Sequence, residues 1–183
     1  MSTLTLKELS APTGEVIKIA SGKTLDLNSQ GTLILPTVPS AKMPTGSVIQ
    51  VVSASTSTTV TNSTATLADT GLTASITPSS TSSKVLVIIS QNGMRKAVGN
   101  AGNRILLQLY KNNVSHTKIG GGLGYNNAND YNGENASLSL LDSPSSTSAL
   151  TYKTMFSNEA GASNVQIQHS GATSTITLME IQG

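Results

Sequence analysis

The sequence predicts an all-β chain: a short N-terminal stem of β-strands followed by an antiparallel β-sandwich of the jelly-roll kind. Three observations predict it. Ser and Thr supply 51 of 183 residues, with 14 Asn and 16 Gly beside them; Thr and Val favour strands, while Ser, Asn and Gly favour turns. Hydrophobic residues make up 37%, and they fall in short runs with the two-residue period of strands. Turn residues cut those runs at spacings suited to a sandwich or jelly roll. The length fits one domain with a short appendage, and a domain of this size buries roughly 70% of its unfolded surface.

The stem is read over residues 11–36. Glu15–Ala20, Thr24–Asn28 and Thr32–Leu35 are short apolar runs, each preceded by a glycine (Gly14, Gly22, Gly31). Leu25 and Leu27 share a face that Asp26 does not. Three such strands cannot bury a core alone; copies wrapped around one axis can, so the segment implies a homo-oligomer. The alternative is a flexible arm with transient strands. Residues 37–46 are the linker, where Pro39 and Pro44 follow Pro36 and prolines interrupt strand pairing.

The sandwich is read over residues 47–183. Ser47–Val52 is its first strand, trailing into Thr-rich polar residues to Thr61. Leu72–Thr77 alternates and stops at Pro78, and Ser79–Ser83 is a polar turn. Lys84–Ser90 is a continuous apolar run that fits a strand buried on both faces. Arg104–Tyr110 and Val114–Ile119 flank Lys111-Asn112-Asn113, a hairpin turn. Gly120–Asn135 is expected to be a loop rich in Gly and Asn. Ser137–Leu141, Leu150–Phe156, Val165–His169 and Thr175–Ile181 complete the set. A chain that closes on a strand often places it at the centre of a sheet.

Composition excludes several function classes. There are 11 Lys and Arg against 9 Asp and Glu, a net charge of +2, too slight for a nucleic-acid footprint. Met94-Arg95-Lys96 with Arg104 is the basic cluster, read as structural or as a subunit contact. Cysteine is absent, so there is no disulfide framework, thiolate metal site or thiol nucleophile. Aromatics are 3%, without Trp, which leaves no base-stacking or sugar-stacking platform. The first residues, MSTLTLKELS, lack the charged and apolar regions of a signal peptide. The longest apolar stretch, Val85–Ile89, is far short of the roughly 20 residues of a membrane span.

Candidate chemistry is sparse. His116 and His169 have no convergent ligand set for a metal, and no Gly-x-Ser-x-Gly elbow occurs. Asp130, Glu134 and Asp142 are the carboxylates a glycosidase reading would use. Gly120–Gly124 lacks the Lys-Ser/Thr end of a phosphate loop. No cofactor or metal is expected. The most suggestive surface is the loop around Tyr125, Asn126, Asn127, Asp130 and Tyr131. Tyr gives contact area at low entropy cost and Asn gives adaptable hydrogen bonding, so these residues are the receptor-contact candidates. A polar loop without a ligand is the alternative.

Four segments together carry a resemblance: Ser21–Leu27, Pro44–Val52, Asp69–Val87 and Ile176–Ile181. With them the chain resembles short trimeric fibre or appendage proteins of tailed marine or cyanobacterial phages. The Asp69–Val87 stretch is the more specific marker. The resemblance implies a homotrimer with a thin β stem and a tip similar to tumour necrosis factor-like jelly rolls. It implies a structural virion protein at the particle surface, without catalytic residues. Partners would be other virion proteins (capsid, portal or neck, or tail) and a host surface glycan or protein, with neither nucleic acid nor membrane insertion. The N-terminal anchor is residues 1–10, with Leu4, Leu6 and Leu9 inserting into the virion. The chain is short for a tail fibre, which favours a short fibre, a head fibre or a capsid decoration. Two rivals are a decoration protein without a receptor and a depolymerase of surface polysaccharide.

Overall fold

A computed structural model of the chain describes residues 39–96, 102–124, 131–160 and 163–183. They belong to a unit that runs from Val38 to Gly183. The stem, residues 11–36, and the anchor candidates Leu4, Leu6 and Leu9 lie outside the described residues.

The described residues form an all-β antiparallel sandwich. Its ten strands are β1 (Val48–Thr56), β2 (Val60–Asn62), β3 (Ala68–Ile76), β4 (Lys84–Lys96), β5 (Ile105–Lys111), β6 (Val114–Leu123), β7 (Tyr131–Asp142), β8 (Leu150–Asn158), β9 (Val165–Ile167) and β10 (Ser174–Ile181). One sheet runs β1-β10-β4-β9-β2, with β7 on the other edge of β4; the second runs β3-β8-β5-β6. The closing strand, β10, lies between β1 and β4, as a chain ending on a strand leads one to expect.

Alternation builds the core. On β4, Val85, Val87 and Ile89 point inward; on β3, Leu72, Ala74 and Ile76 do. They pack with Leu109, Leu150, Tyr152, Ile176 and Leu178 between the sheets. A second cluster holds Met94, Ile105, Leu107, Phe156, Val165 and Ile167. Buried hydroxyls and an amide also join the sheets. Thr70 and Thr154 share a hydrogen bond, Thr154 donates to Gln91 Oε1 at 2.9 Å, and Gln91 Nε2 donates to Ser174 Oγ at 3.0 Å. A buried polar group must find a partner, and this string satisfies four side chains at once.

Local chemistry sets the turns. Asn112 and Asn113 both adopt left-handed φ, 50° and 65°, the geometry of the two-residue hairpin turn expected there. Gly93 has φ 64° at a register shift in β4. A Cβ on it would stand 2.7 Å from the Ala172 side chain and 2.8 Å from the His169 nitrogen, so the bulge requires glycine. The end of the linker is tied down: Gly46 N donates to Gln182 O at 2.8 Å and Gln182 N to Ser47 O at 2.9 Å.

Three expectations need correction. Lys84–Ser90 is covered on one face only, since Ile88 is 39% exposed; its outward side meets no other sheet among the described residues. The Thr-rich stretch after Val52 contains a strand, β2, paired to β9 from Val60 to Asn62. The Gly- and Asn-rich loop is shorter than 120–135, because β6 continues to Leu123 and β7 starts at Tyr131. In the basic cluster, Lys96 is 1% exposed, in keeping with the structural reading of that cluster.

Candidate functional site

Strand register sorts the connections to two ends. Lys96 pairs with Tyr131 and with Val165, and Ile105 pairs with Leu123 and with Asn158. The connections β4–β5, β6–β7 and β8–β9 therefore leave from one end, called distal here. The chain enters β1 at the other, proximal end, where Val48 pairs with Ile181 and Ile181 with Lys84. β4 spans up to about 40 Å between the two ends.

Asparagines hold the distal connections at their bases. Asn158 Nδ2 donates to Asn103 Oδ1 at 3.1 Å and also to Ser163 O, while its Oδ1 accepts from Ala160 N at 3.0 Å. Asn62 Nδ2 donates to Thr66 O and Phe156 O, and its Oδ1 accepts from Thr64 N at 2.9 Å. All three asparagines are buried. Glu134 Oε2 accepts from Gly124 N at 2.6 Å across the base of the β6–β7 connection. Glu159 joins Arg104 Nε at 3.0 Å, Gly122 N at 2.8 Å and Lys118 at 3.5 Å. Burial would raise its pKa, but these donors and cations hold it below the ordinary value.

Of the receptor-contact candidates, Tyr125, Asn126, Asn127 and Asp130 lie outside the described residues. Tyr131 opens β7 by its backbone alone. The described residues that flank them, Leu123 at the end of β6 and Tyr131 at the start of β7, are at the distal end. Sequence reasoning missed the supporting asparagines. The only available signal was their abundance, since an Asn that clamps a loop and an Asn exposed on one look alike in sequence.

The proximal end holds two buried carboxylates. Glu180, fully buried, accepts on Oε1 from Ser79 N (2.7 Å), Ser79 Oγ (2.6 Å) and Ser83 Oγ (2.7 Å). Its Oε2 accepts from Gln50 Nε2 at 2.6 Å. Burial pushes its pKa up, but the hydrogen bonds from Ser79, Gln50 and Ser83 outweigh that, and it lies below the ordinary value. Asp142 Oδ2 accepts from Tyr152 OH at 2.6 Å and Lys111 Nζ at 2.8 Å, with His116 Nε2 3.6 Å from Oδ1. It too lies below the ordinary value, because these partners overcome burial. The Tyr152 hydroxyl is pushed far up by its burial and by the carboxylate it serves.

Glu134 and Asp142 do not make a hydrolytic pair. They sit eight positions apart on one strand, about 27 Å, against the roughly 5–10 Å that glycoside hydrolysis needs. Asp130 lies outside the described residues. His169 meets Arg95, with Nε2 3.4 Å from Nη1, far along β4 from the end where His116 lies. Among the described residues no group of three His, Asp or Glu could hold a metal, and no helix is long and apolar enough to cross a membrane.

No protein-family model matches the chain, and no curated protein matches it.

Proposed function

We propose that this chain is a structural virion protein of a tailed phage, a short trimeric fibre or appendage that projects from the particle and contacts the host surface. The observation that carries this reading is the polarity of the sandwich. The chain enters at one end, and clamped connections, including the Tyr- and Asn-rich one, leave from the other. A tip mounted on an N-terminal stem needs that polarity, because attachment and contact must face opposite ways.

Two further features support it. Leaving out the three-residue strands, the eight long strands order as 1-8-3-6 and 2-7-4-5, the order of a jelly roll. Loops on a rigid sandwich are common recognition sites, and the asparagine clamps fix their bases. In a trimer three weak contacts would sum through effective concentration.

The test is location. Purified phage particles whose genome encodes the chain are labelled with antibody against it and imaged. Label at discrete projecting sites is the expected outcome. A virus lacking residues 1–10 of the chain should produce particles without label, while the truncated protein still accumulates folded. Unlabelled wild-type particles would sink the virion reading. Label over the whole shell at lattice copy number would replace the appendage with a decoration protein.

A further inference from the structure

The outward face of the β1-β10-β4-β7 sheet differs from the other surfaces described here. Val51, Met179, Leu86 and Leu141 are register partners across the four strands. Their chain neighbours Val52, Leu178, Val87 and Leu140 pack in the core, so by alternation this row points out. Val51 is 55% exposed and Leu141 50%. Ile88 lies one row further, beside Thr177 and Ser139. Charge is missing from the area. Between Lys84 and Arg95 no outward position of β4 is charged, and the neighbouring outward positions on β1, β10 and β7 are apolar, serine or threonine.

The outer side of the other sheet is built the opposite way. Asp69 and Lys153 form an ion pair there at 3.1 Å, and Glu159 with Arg104 and Lys118 lies at its distal end. One face carries charge and the other does not.

We infer that the outward face of the β1-β10-β4-β7 sheet is a contact surface for a second copy of this chain. The sandwich, and not the N-terminal segment alone, then holds copies together. A contiguous apolar row on an otherwise soluble surface marks an association site. Its lack of charge fits a partner surface that is also neutral and flat. A like copy offers such a surface, and interface centres are depleted of charge. Four strands at about 4.8 Å spacing and seven residues at about 3.4 Å give roughly 460 Å² in projection. That is the larger part of the roughly 800 Å² each partner brings to a stable interface. The proposed stem, on which this inference rests for the remainder, would supply the rest.

The chain has no cysteine, so one introduced thiol reports one place. Ser139→Cys puts a thiol on the proposed contact face, and Thr73→Cys puts one on the outward face of the other sheet; both positions are exposed in the isolated chain. In the full-length protein, at concentrations where light scattering gives a multiple of 18.8 kDa, the Ser139→Cys thiol should react at least tenfold more slowly with a maleimide. Adding Val51→Lys and Leu141→Lys should abolish that ratio without changing the circular dichroism. Equal rates in the oligomer would overturn the inference and assign association to the N-terminal segment. A monomeric wild type would overturn it too, including when Ser139→Cys is protected by the chain's own N-terminus. None of these results bears on particle location, which is decided by the labelling of virions.

Discussion

The two ends of the sandwich are closed by different chemistry. At the proximal end the buried polar groups are anions. Glu180 sits under four neutral donors, and Asp142 under Lys111 and Tyr152. At the distal end they are the neutral amides Asn62, Asn103 and Asn158, with the cation Lys96 and no buried anion among the described residues, while the carboxylate of Glu159 is 22% exposed. Hydrogen bonds to a charged acceptor are stronger than those between neutral groups. They also leave more behind when the acceptor is removed, because each stranded donor remains desolvated. The end through which the chain enters is therefore tightly tied and acid-sensitive. The end that carries the loops is held chiefly by buried amides, which do not titrate, with the partly exposed Glu134 and Glu159 beside them.

The largest expected effect comes from removing the proximal anion. Glu180→Ala strands Ser79 N, Ser79 Oγ and Ser83 Oγ; Gln50 Nε2 keeps its bond to Thr77 O. Hydrogen bonds to a charged group contribute about 1.5–3 kcal/mol each; the exposed Ser79 can turn to water while the buried Ser83 cannot, so the loss should be about 3 kcal/mol. For a protein of this size that is a fall in Tm of roughly 10 °C, read by thermal unfolding at fixed protein concentration. A loss below about 1 kcal/mol would mean that water replaces the carboxylate, and the contrast between the ends would disappear.

The distal counterpart should be smaller. Asn158→Ala removes bonds to Asn103, Ser163 O and Ala160 N, all between neutral groups. About 2 kcal/mol is expected, with faster proteolysis confined to residues 159–164. Cleavage spread through the sandwich would show that Asn158 supports the whole fold rather than the loop bases.

Much of this contrast was hidden in the sequence, for a physical reason. Strands were legible because alternation is local: Thr175–Ile181 and Leu72–Thr77 show their inward faces without reference to anything else. The Asn112-Asn113 turn was legible for the same reason. β2 was not, because Val60–Asn62 is three residues of a Thr-rich run whose pairing depends on β9. The Ser79–Ser83 turn was recognised, but its purpose lies about a hundred residues away, on Glu180. Gln50, Ser79, Ser83 and Glu180 belong to three of the segments that prompted the phage resemblance, and in the fold they meet at one carboxylate. Gln91 and Thr154 are polar residues on inward faces, so periodicity alone would count them as errors. The outward row of Val51, Met179, Leu86 and Leu141 emerges only once four strands are in register.

The smallest effect separates the ends most sharply, because it tests the sign of the difference and not its size. Glu180 and Asp142 have folded-state pKa values below their ordinary 4.5 and 3.8. A depressed carboxylate contributes stability that is complete above its ordinary value and is lost as pH falls through the lower folded one. Unfolding free energy should therefore be flat above about pH 5 and decline below it. Glu180→Gln has no carboxylate to protonate at that position, so its decline between about pH 5 and pH 3 should be shallower than wild type. Asn158→Ala should run parallel to wild type, displaced by a constant. Glu159 is depressed as well, so Glu159→Gln is the necessary distal control. Its greater exposure weakens each interaction through solvent screening, and its slope should stay nearer to wild type. If Glu159→Gln flattens the acid limb as much as Glu180→Gln does, the acid sensitivity belongs to both ends and the division between an ionic base and a neutral tip fails.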